Sequence, residues 1–336
     1  MILQHTQQLI EGNSLTKEQT RECVLEIMSG TVSDIQISAF LTALRIKGET
    51  TAEIAGAAQA MREKATKIQT RHNNVIDTCG TGGDGIGTFN ISTVAAIISS
   101  AAGAKVAKHG NRAISSKCGS ADVLKALGVN IDMPKERVEK SLDEIGIGFL
   151  FAPKLHEAMK YAMPVRRELG FRTIFNTLGP LTNPAGAKRQ VLGVYKQILT
   201  DTLASVLQDL GTERALVVHG LDGMDEISTI GETKITEIKN GQIDSYLLHP
   251  DTLDIERVSL NEILGGDVEK NVSIVNHILS GKKGAVRDIA LLNAAAALYV
   301  SEITSSLKEG IALAADAVDS GNAKQKLNDL IAFSYS

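Results

Sequence analysis

Glycine residues are concentrated between positions 80 and 85, in a segment whose composition suits phosphate binding. Gly80, Gly82, Gly83 and Gly85 surround Asp84. Because glycine adopts positive φ angles and lets the backbone approach a ligand closely, successive N–H groups of such a segment can point at one anion. The segment lacks the lysine that closes a Walker A loop. Taken alone, the glycines fit a tight strand-to-helix turn equally well.

Short polar side chains follow this glycine segment at the start of a predicted helix. The helix candidate runs from Ile91 to Ala102, and a helix N-terminus favours phosphate through its free N–H groups and its dipole. The residues at that end are Thr88, Asn90, Ile91, Ser92 and Thr93. Their attachment to the glycines makes a phosphate site the favoured interpretation over a capped turn.

A basic segment comes directly after the next strand candidate, 104–107. It contains Lys108, His109, Gly110, Asn111 and Arg112, and is followed by Ser115, Ser116 and Lys117. Such donors suit a polyanion. Parallel sheets gather their loops at one edge, so we expect this segment to share a site with the glycines. A solvated basic loop is the alternative, and His109 is open to two interpretations, a general base or a packing residue.

Two further segments carry charged side chains in suggestive places. Asp225 and Glu226 follow an apolar strand candidate and a glycine turn. A hard divalent cation such as Mg²⁺ accepts one or two carboxylates together with substrate phosphates, although an Asp-Glu pair is also common on any surface. Arg166 and Arg167 are adjacent in a predicted helix. An arginine fork can bind a carboxylate, but exposed helix arginines are the simpler interpretation.

The elements that would position these residues fall into two groups. The first 70 residues are predicted to be helical, and Thr16 with Gln19 and Ser33 with Gln36 have capping-box spacing. From residue 75 onward, strands alternate with glycine turns and helices, as is typical of an α/β domain with a mostly parallel sheet. The strand candidates are 75–77, 104–107, 149–151, 191–194, 215–218 and 243–248.

The segment 153–184 returns to a helical pattern, which indicates that it joins the N-terminal helices. We therefore expect a small helical domain of residues 1–70 with roughly 155–185. The larger α/β domain would then contain residues 71–154 and 186–336. Both are compatible with a chain of 336 residues.

Composition narrows the functional classes. The chain is 43% hydrophobic and 22% charged, with a net charge of −4, so it gives no sign of a nucleic-acid or membrane partner. Three scattered cysteines without metal-ligand spacing favour a reducing compartment. The N-terminus lacks the pattern of a secretory signal, and we expect the protein to be cytoplasmic.

Taken together and in order, these segments resemble the anthranilate phosphoribosyltransferase family. The matching segments are GTGGD at 80–84, TFNIST at 88–93, KHGNR at 108–112, SSKCGSADVL at 115–124, PVRRELG at 164–170, NTLGPLTNP at 176–184 and VHGLDGMDEIS at 218–228. The length and the helical opening also fit, so the likeness covers essentially the whole chain. The family fold, shared with pyrimidine nucleoside phosphorylases, has a small helical domain, a larger α/β domain and homodimers formed through the helical part.

The resemblance also implies residue roles. Phosphoribosyl pyrophosphate would be held by Gly80, Gly83, Asp84, Thr88, Asn90, Ile91, Ser92, Thr93, Lys108, His109, Gly110, Asn111, Arg112, Ser115, Ser116 and Ser120. Anthranilate would be held by Gly80, Asn111 and Arg166, with His109 and Pro180 lining its access path. Two Mg²⁺ ions are implied, one on Ser92 and Glu226 and one on Asp225 and Glu226. Arg166 is preferred to Arg167 from its spacing to the other segments.

The implied reaction is displacement of pyrophosphate from the sugar by the amine of anthranilate, a step of tryptophan biosynthesis. Three other functions remain open. A pyrimidine nucleoside phosphorylase would use phosphate as the nucleophile on a nucleoside. A family member without the activity would bind nucleic acid or another ligand, and a helical interaction module fused to a nucleotide sensor would leave Arg166 unexplained.

Overall fold

The computed structural model describes residues 1–113 and 117–336, so the predicted phosphate ligands Ser115 and Ser116 lie outside the described residues. The chain opens with four helices, α1 (Ile2–Ile10), α2 (Lys17–Met28), α3 (Asp34–Lys47) and α4 (Thr51–Lys64). The capping boxes predicted at Thr16 and Ser33 are both present, and Thr50 forms a third with Glu53. Each box satisfies N–H groups that a helix start would leave without partners.

The rest of the chain is built around one seven-stranded sheet. Its strands are β1 (Ile76–Gly80), β2 (Val106–Gly110), β3 (Ile147–Phe151), β4 (Arg189–Gly193), β5 (Arg214–Gly220), β6 (Thr233–Lys239) and β7 (Gln242–Leu248). They lie in the order β3-β2-β1-β4-β5-β6-β7. The first five are parallel, and β6 and β7 are antiparallel additions at one edge. The predicted fold class, a helical domain with a larger α/β domain around a mostly parallel sheet, is confirmed.

The remaining helices follow β1 in the chain. In chain order they are α5 (Ile91–Ala101), α6 (Ser120–Ala126), α7 (Lys135–Ile145), α8 (Ala152–Leu155), α9 (Met163–Leu169), α10 (Phe175–Leu178), α11 (Leu199–Asp209), α12 (Val268–Leu279), α13 (Ala285–Val300), α14 (Leu307–Asp319) and α15 (Asn322–Tyr335). Short 3₁₀ turns occupy Glu157–Tyr161, Gly179–Leu181, Pro250–Leu253 and Leu260–Glu262. None of these helices, nor α1 to α4, is long and apolar enough to cross a membrane in the part of the chain that the structure describes.

Two expectations about strands require correction. The segment from Lys108 to Gly110 was predicted as a loop, but these residues belong to β2 and pair with Phe149, Leu150 and Phe151 of β3. Strand β6 was not predicted, because its apolar residues Ile235 and Ile238 are three positions apart and so lack the alternation that marks a half-buried antiparallel strand. The first correction matters for function, because a strand holds Lys108 and His109 more rigidly than a loop would.

The segment that follows β3 packs back onto the N-terminal helices. Helix α9 contacts α3, and α10 contacts α4. Val165 and Phe175 belong to the same buried apolar cluster as Phe40 and Leu44. That cluster also reaches α11 and one face of the sheet through Leu192 and other residues. The assignment of residues 155–185 to a discontinuous helical domain stays a prediction that this packing supports.

Candidate active site

Three of the predicted segments meet at one edge of the sheet. Gly80, Gly110 and Gly220 are the last residues of β1, β2 and β5, three parallel strands. The carboxyl ends of parallel strands face the same side, where open α/β sheets bind their ligands. The glycine segment, the end of β2 and the Asp225-Glu226 pair therefore surround a common space.

Direct hydrogen bonds join the glycine segment to the acidic pair. The N–H of Gly82 donates to Asp225 Oδ2 at 2.8 Å, and the N–H of Ser92 donates to Glu226 Oε1 at 3.1 Å. Asp84 belongs to the same group, because its Oδ2 accepts the N–H of Asp225 at 3.4 Å. Residues more than 130 positions apart in sequence thus form one site.

Glycines allow the glycine segment and Asp225 to lie this close together. A Cβ at Gly80 would lie 2.5 Å from Asp225 Oδ2, and one at Gly193, its neighbour on β4, would collide with the backbone carbonyl of Asp225. Beyond the strand end, Gly82 and Gly83 have φ angles of 68° and 71°. Glycine is therefore required at the strand ends for space and in the loop for conformation.

The surroundings of Asp225 and Glu226 favour the binding of a cation. Burial raises the pKa of Asp225 to about 7, with a further contribution from the charge of Asp84. Burial, followed by the charge of Asp225, raises the pKa of Glu226 to about 8. Both side chains keep a partly exposed face, so a ligand can reach them. A divalent cation would remove the repulsion between these carboxylates.

The donor set fits Mg²⁺ better than a transition metal. No group of three or more histidine, cysteine or acidic side chains forms a closed metal site among residues 1–113 and 117–336. Mg²⁺ does not need one, because it keeps several waters and uses carboxylates together with substrate phosphates. Asp225, Glu226 and the hydroxyl of Ser92 supply only oxygen atoms.

Lys108 brings positive charge to the same place. Its side chain is buried, and its ammonium group donates to the carbonyl of Thr78 and to Ser92 Oγ at 3.4 Å. The charge of Lys108 opposes the rise in the pKa of Glu226. A lysine held between the helix start at Ser92 and the acidic pair can meet both a carboxylate and a phosphate.

His109 is held in one orientation from both ends. Its backbone N–H donates to Asp77 Oδ1 at 3.0 Å, and its ring Nδ1 lies 3.1 Å from the carbonyl oxygen of Gly179. Because a carbonyl only accepts, Nδ1 carries the proton. The Nε2 atom is buried and has no hydrogen-bond partner among the described residues. Burial, and then the nearby ring of His156, lowers the pKa of His109 to about 3.

Because His109 is neutral near pH 7, the effect of replacing it should not depend on pH. Since its pKa of about 3 lies far below neutrality, the His109→Ala variant should lose activity by the same factor at every pH between 5 and 8. The measurement is the ratio of wild-type to variant kcat across that range. A ratio that changes through pH 6 to 7 would show that His109 titrates during catalysis and would restore the general-base interpretation.

The remaining predicted phosphate ligands are partly engaged with the protein. Asn90 donates its amide to the carbonyl of Cys118 and accepts from Asn271, both at 3.1 Å. Thr93 has a buried hydroxyl with no partner among the described residues, and Thr88 forms a β-bridge with Leu264. The side chain of Asn90 therefore organises the surrounding loops.

Beyond β2, the backbone closes onto the start of α6. The N–H of Asn111 donates to Ser120 Oγ, and Ser120 Oγ in turn donates to the carbonyl of Asn111, both at 3.2 Å. Arg112 lies 3.5 Å from Asp122 and 5.8 Å from the ring of Phe151. The Asn111 and Ser120 contacts place this turn at the same sheet edge as the glycine segment.

Arg166 and Arg167 differ sharply in environment. Arg166 is half-buried, with its guanidinium 5.6 Å from the ring of Phe175 and 3.6 Å from Met163 Sδ, and burial lowers its pKa. Arg167 is exposed. Pro180 is buried beside Gly179, the residue whose carbonyl accepts from His109. A partly desolvated arginine is the better of the two for binding an anionic ligand.

Sequence reasoning missed two residues that hold this arrangement together. Asp77 is fully buried, and Asn183 donates to Asp77 Oδ2 and to the carbonyl of Ala107, both at 2.8 Å. The contact ties the segment after α10 to both β1 and β2. The available signal was an aspartate inside an apolar strand candidate, because a buried carboxylate requires partners.

Comparison with known proteins defines the class of enzyme. Residues 3–65 match the helical bundle domain of a glycosyl transferase family, and residues 72–324 match its a/b domain. Fold and site together are thus those of a two-domain glycosyltransferase.

Individual relatives narrow this class. Anthranilate phosphoribosyltransferases from Acetivibrio thermocellus and Alkaliphilus metalliredigens are 51% and 52% identical over 100% and 99% of this chain, and over 97% and 98% of their own lengths. The crystal structure of the Thermus thermophilus enzyme has a TM-score of 0.94 at 44% identity, covering 98% of this chain and 99% of that one. The chain belongs to the anthranilate phosphoribosyltransferase family, as the ordered segments predicted. The matches support this interpretation rather than a pyrimidine nucleoside phosphorylase.

A further solved relative bears on the site. The Saccharomyces cerevisiae anthranilate phosphoribosyltransferase in complex with phosphoribosyl pyrophosphate and Mg has a TM-score of 0.91 at 30% identity, covering 99% of this chain and 98% of that one.

Proposed function

We propose that this chain transfers the phosphoribosyl group of phosphoribosyl pyrophosphate to the amine of anthranilate, releasing pyrophosphate, in tryptophan biosynthesis. The observation that carries the proposal is the contact between the glycine segment and the acidic pair through Gly82 and Asp225, at 2.8 Å. It brings anion donors and cation ligands to a single point, which a magnesium-bound diphosphate requires.

In this proposal the sugar diphosphate lies across the carboxyl ends of β1 and β2. Its proposed ligands among the described residues are Gly80, Gly83, Asp84, Thr88, Asn90, Ile91, Ser92, Thr93, Lys108, His109, Gly110, Asn111, Arg112 and Ser120. The N–H groups of the glycine segment and the start of α5 would face the phosphates. Lys108 would stabilise the negative charge that develops on the leaving pyrophosphate.

We assign two Mg²⁺ ions, one to Ser92 and Glu226 and one to Asp225 and Glu226. When bound, Mg²⁺ supplies positive charge that favours departure of the pyrophosphate. Support comes from the raised pKa values of both carboxylates and from the yeast relative solved with Mg.

Anthranilate would bind on the side of α9. Arg166 would hold its carboxylate, and Asn111 and Gly80 would position the amine near the sugar, with His109 and Pro180 as walls of the access path. An aryl amine is neutral at pH 7, so it can attack the anomeric carbon without first being deprotonated by a base such as histidine. These residues would act by positioning the two substrates and by stabilising charge. The reaction therefore needs no covalent nucleophile.

The decisive assay follows anthranilate fluorescence. Adding the enzyme, Mg²⁺ and phosphoribosyl pyrophosphate should abolish the fluorescence of anthranilate as the amine is substituted, and omitting any one component should prevent this. A parallel incubation with thymidine and phosphate tests the nucleoside phosphorylase alternative. Release of thymine without any change in anthranilate would overturn the proposal.

We further propose a homodimer formed through the helical domain, in a cytoplasmic enzyme with no nucleic-acid or membrane partner. Helices α1 and α3 pack on each other, and each displays exposed apolar side chains. Ile35 and Ile46 on α3 are each 82% exposed, and Leu3 and Ile10 on α1 are 61% and 65% exposed. Each pair recurs on one helix face, the pattern of a helix that packs against a partner. The three cysteines are buried and free, as suits a reducing compartment.

Charge placed on this surface should separate the subunits. The double variant Ile35→Glu with Ile46→Glu is expected to sediment as a monomer at micromolar concentration, because burying two carboxylates in an apolar interface is strongly unfavourable. Leu247→Glu, on the exposed edge strand β7, serves as the matched control and should leave the dimer intact. Wild-type protein that already sediments as a monomer would contradict the proposal.

A further inference from the structure

One arginine outside the predicted site touches the glycine segment directly. Arg172 lies in the connection between α9 and α10, six positions after Arg166 in the chain. Its guanidinium donates to the carbonyl of Gly83 and, at 3.5 Å, to the carbonyl of Gly82. One planar fork thus binds two consecutive carbonyl oxygens of the loop.

An aromatic ring fixes the position of the Arg172 guanidinium. It stacks on the ring of Tyr195, with 3.8 Å between Cζ and the ring centroid. Tyr195 follows β4, and its N–H donates to Thr81 Oγ1 at 3.1 Å, while the N–H of Thr81 donates to the carbonyl of Gly193 at 2.9 Å. The backbone that carries Tyr195 is therefore bonded to Thr81 of the glycine segment, and Thr81 is bonded in turn to the end of β4.

The direction of the two carbonyls fixes the direction of the N–H groups that follow them. In a trans peptide the C=O and the next N–H point in opposite directions. The carbonyls of Gly82 and Gly83 face Arg172, so the N–H groups of Gly83 and Asp84 face away from it. Within the described parts of the chain, neither N–H group has a hydrogen-bond acceptor.

We propose that Arg172 is a positioning residue for the diphosphate: by binding the carbonyls of Gly82 and Gly83, it turns the N–H groups of Gly83 and Asp84 toward the bound anion. This inference rests on the proposed function for the identity of the substrate, but not for the geometry. It assigns the arginine to the back of the loop, away from the substrate itself.

Position 83 requires glycine for two reasons, and the contact with Arg172 is one of them. Gly83 has a φ of 71°, which strains any other residue, and a Cβ there would lie 3.0 Å from Arg172 Cζ and closer still to Nη2. The loop and the arginine are matched in shape, because the guanidinium can reach the carbonyls only across a residue without a side chain.

The test measures binding of pyrophosphate with Mg²⁺ by calorimetry, together with both KM values. Arg172→Lys keeps the charge but loses the fork. It should weaken pyrophosphate binding and raise the KM for phosphoribosyl pyrophosphate at least about tenfold, the scale of a lost charge-assisted hydrogen bond. The KM for anthranilate should change by less than about twofold on the same scale.

Tyr195 supplies a second, independent pair of variants in case substitution of Arg172 impairs folding. Tyr195→Leu removes the stacking face and should raise the KM for phosphoribosyl pyrophosphate, whereas Tyr195→Phe keeps the ring and should recover most of the wild-type value. Arg257→Lys, an exposed arginine paired with Asp251, controls for a general effect of losing a guanidinium.

Each outcome decides the matter. Wild-type pyrophosphate binding in Arg172→Lys would reduce Arg172 to a source of charge and overturn the proposal, as would an equal rise in both KM values. Wild-type protein that binds pyrophosphate with Mg²⁺ but leaves anthranilate unchanged would overturn the proposed function while the role of Arg172 stands.

Discussion

Replacing both Asp225 and Glu226 by alanine is expected to lower kcat/KM by at least about a hundredfold and to remove its dependence on magnesium. The two carboxylates are the acidic groups closest to the N–H donors of Gly82 and Ser92, so their loss removes the oxygen ligands that would hold the cation beside the diphosphate. The measurement is the initial rate of anthranilate consumption over a range of Mg²⁺ concentrations.

A control variant sharpens this prediction. Asp244→Asn, on the exposed edge strand β7, removes a carboxylate elsewhere and should leave the magnesium response unchanged. A double variant that keeps the wild-type magnesium response would remove Asp225 and Glu226 from the metal site.

The raised pKa values set the sign of a pH effect on the metal-free protein. Both carboxylates bind their protons more tightly when folded than when unfolded, so ionising them costs stability as the pH rises from about 4 toward 7 and 8. The isosteric pair Asp225→Asn with Glu226→Gln should therefore have a higher Tm than the wild type at pH 8, and the difference should shrink at pH 4. Added Mg²⁺ should raise the Tm of the wild type only.

The second large effect is expected at Arg166. Arg166→Ala should raise the KM for anthranilate about ten- to a hundredfold, which corresponds to the loss of a charge-assisted pair with a carboxylate. The KM for phosphoribosyl pyrophosphate should change little, because the guanidinium of Arg166 lies against Phe175 and Met163 and has no hydrogen bond to the glycine segment within the described residues. The two KM values are measured by varying each substrate at a saturating concentration of the other.

Helix α9 offers a matched control one residue away. Arg167 carries the same charge in the same helix but is exposed, so Arg167→Ala should leave both KM values near those of the wild type. If Arg167→Ala raises the KM for anthranilate and Arg166→Ala does not, the two residues exchange roles. Equal rises in both KM values for Arg166→Ala would instead indicate a general disturbance of the site.

Local patterns in the sequence were sufficient to predict much of this fold. The capping boxes at Thr16 and Ser33 and the apolar strands before the glycine turns are short-range features, and the structure contains them. The end of β2 was misjudged because Lys108 and His109 resemble loop residues. Their pairing with Phe149 and Leu150 of β3 depends on contacts about 40 positions away.

The candidate site shows the same division. Ordered motifs identified the glycine segment and the acidic pair, because each contains several informative residues in a row. Arg172 and Asn183 stood inside segments already noted, yet nothing in their spacing revealed that they bind Gly83 and Asp77. Such partners are selected by tertiary geometry, which local sequence patterns do not encode.

The paired strand ends at Gly80 and Gly193 make the carboxylate site vulnerable to changes that never touch its chemistry. A methyl group at Gly193 would collide with the backbone carbonyl of Asp225, so the turn after β5 would be displaced and both acids with it, whereas a methyl group at Gly80 would meet the carboxylate of Asp225. Alanine at Gly193 should thus mimic an enzyme stripped of its acidic pair while every charged residue is still present. Loss of activity in a natural variant of this protein can therefore come from a glycine-to-alanine substitution at Gly193 as readily as from loss of a carboxylate.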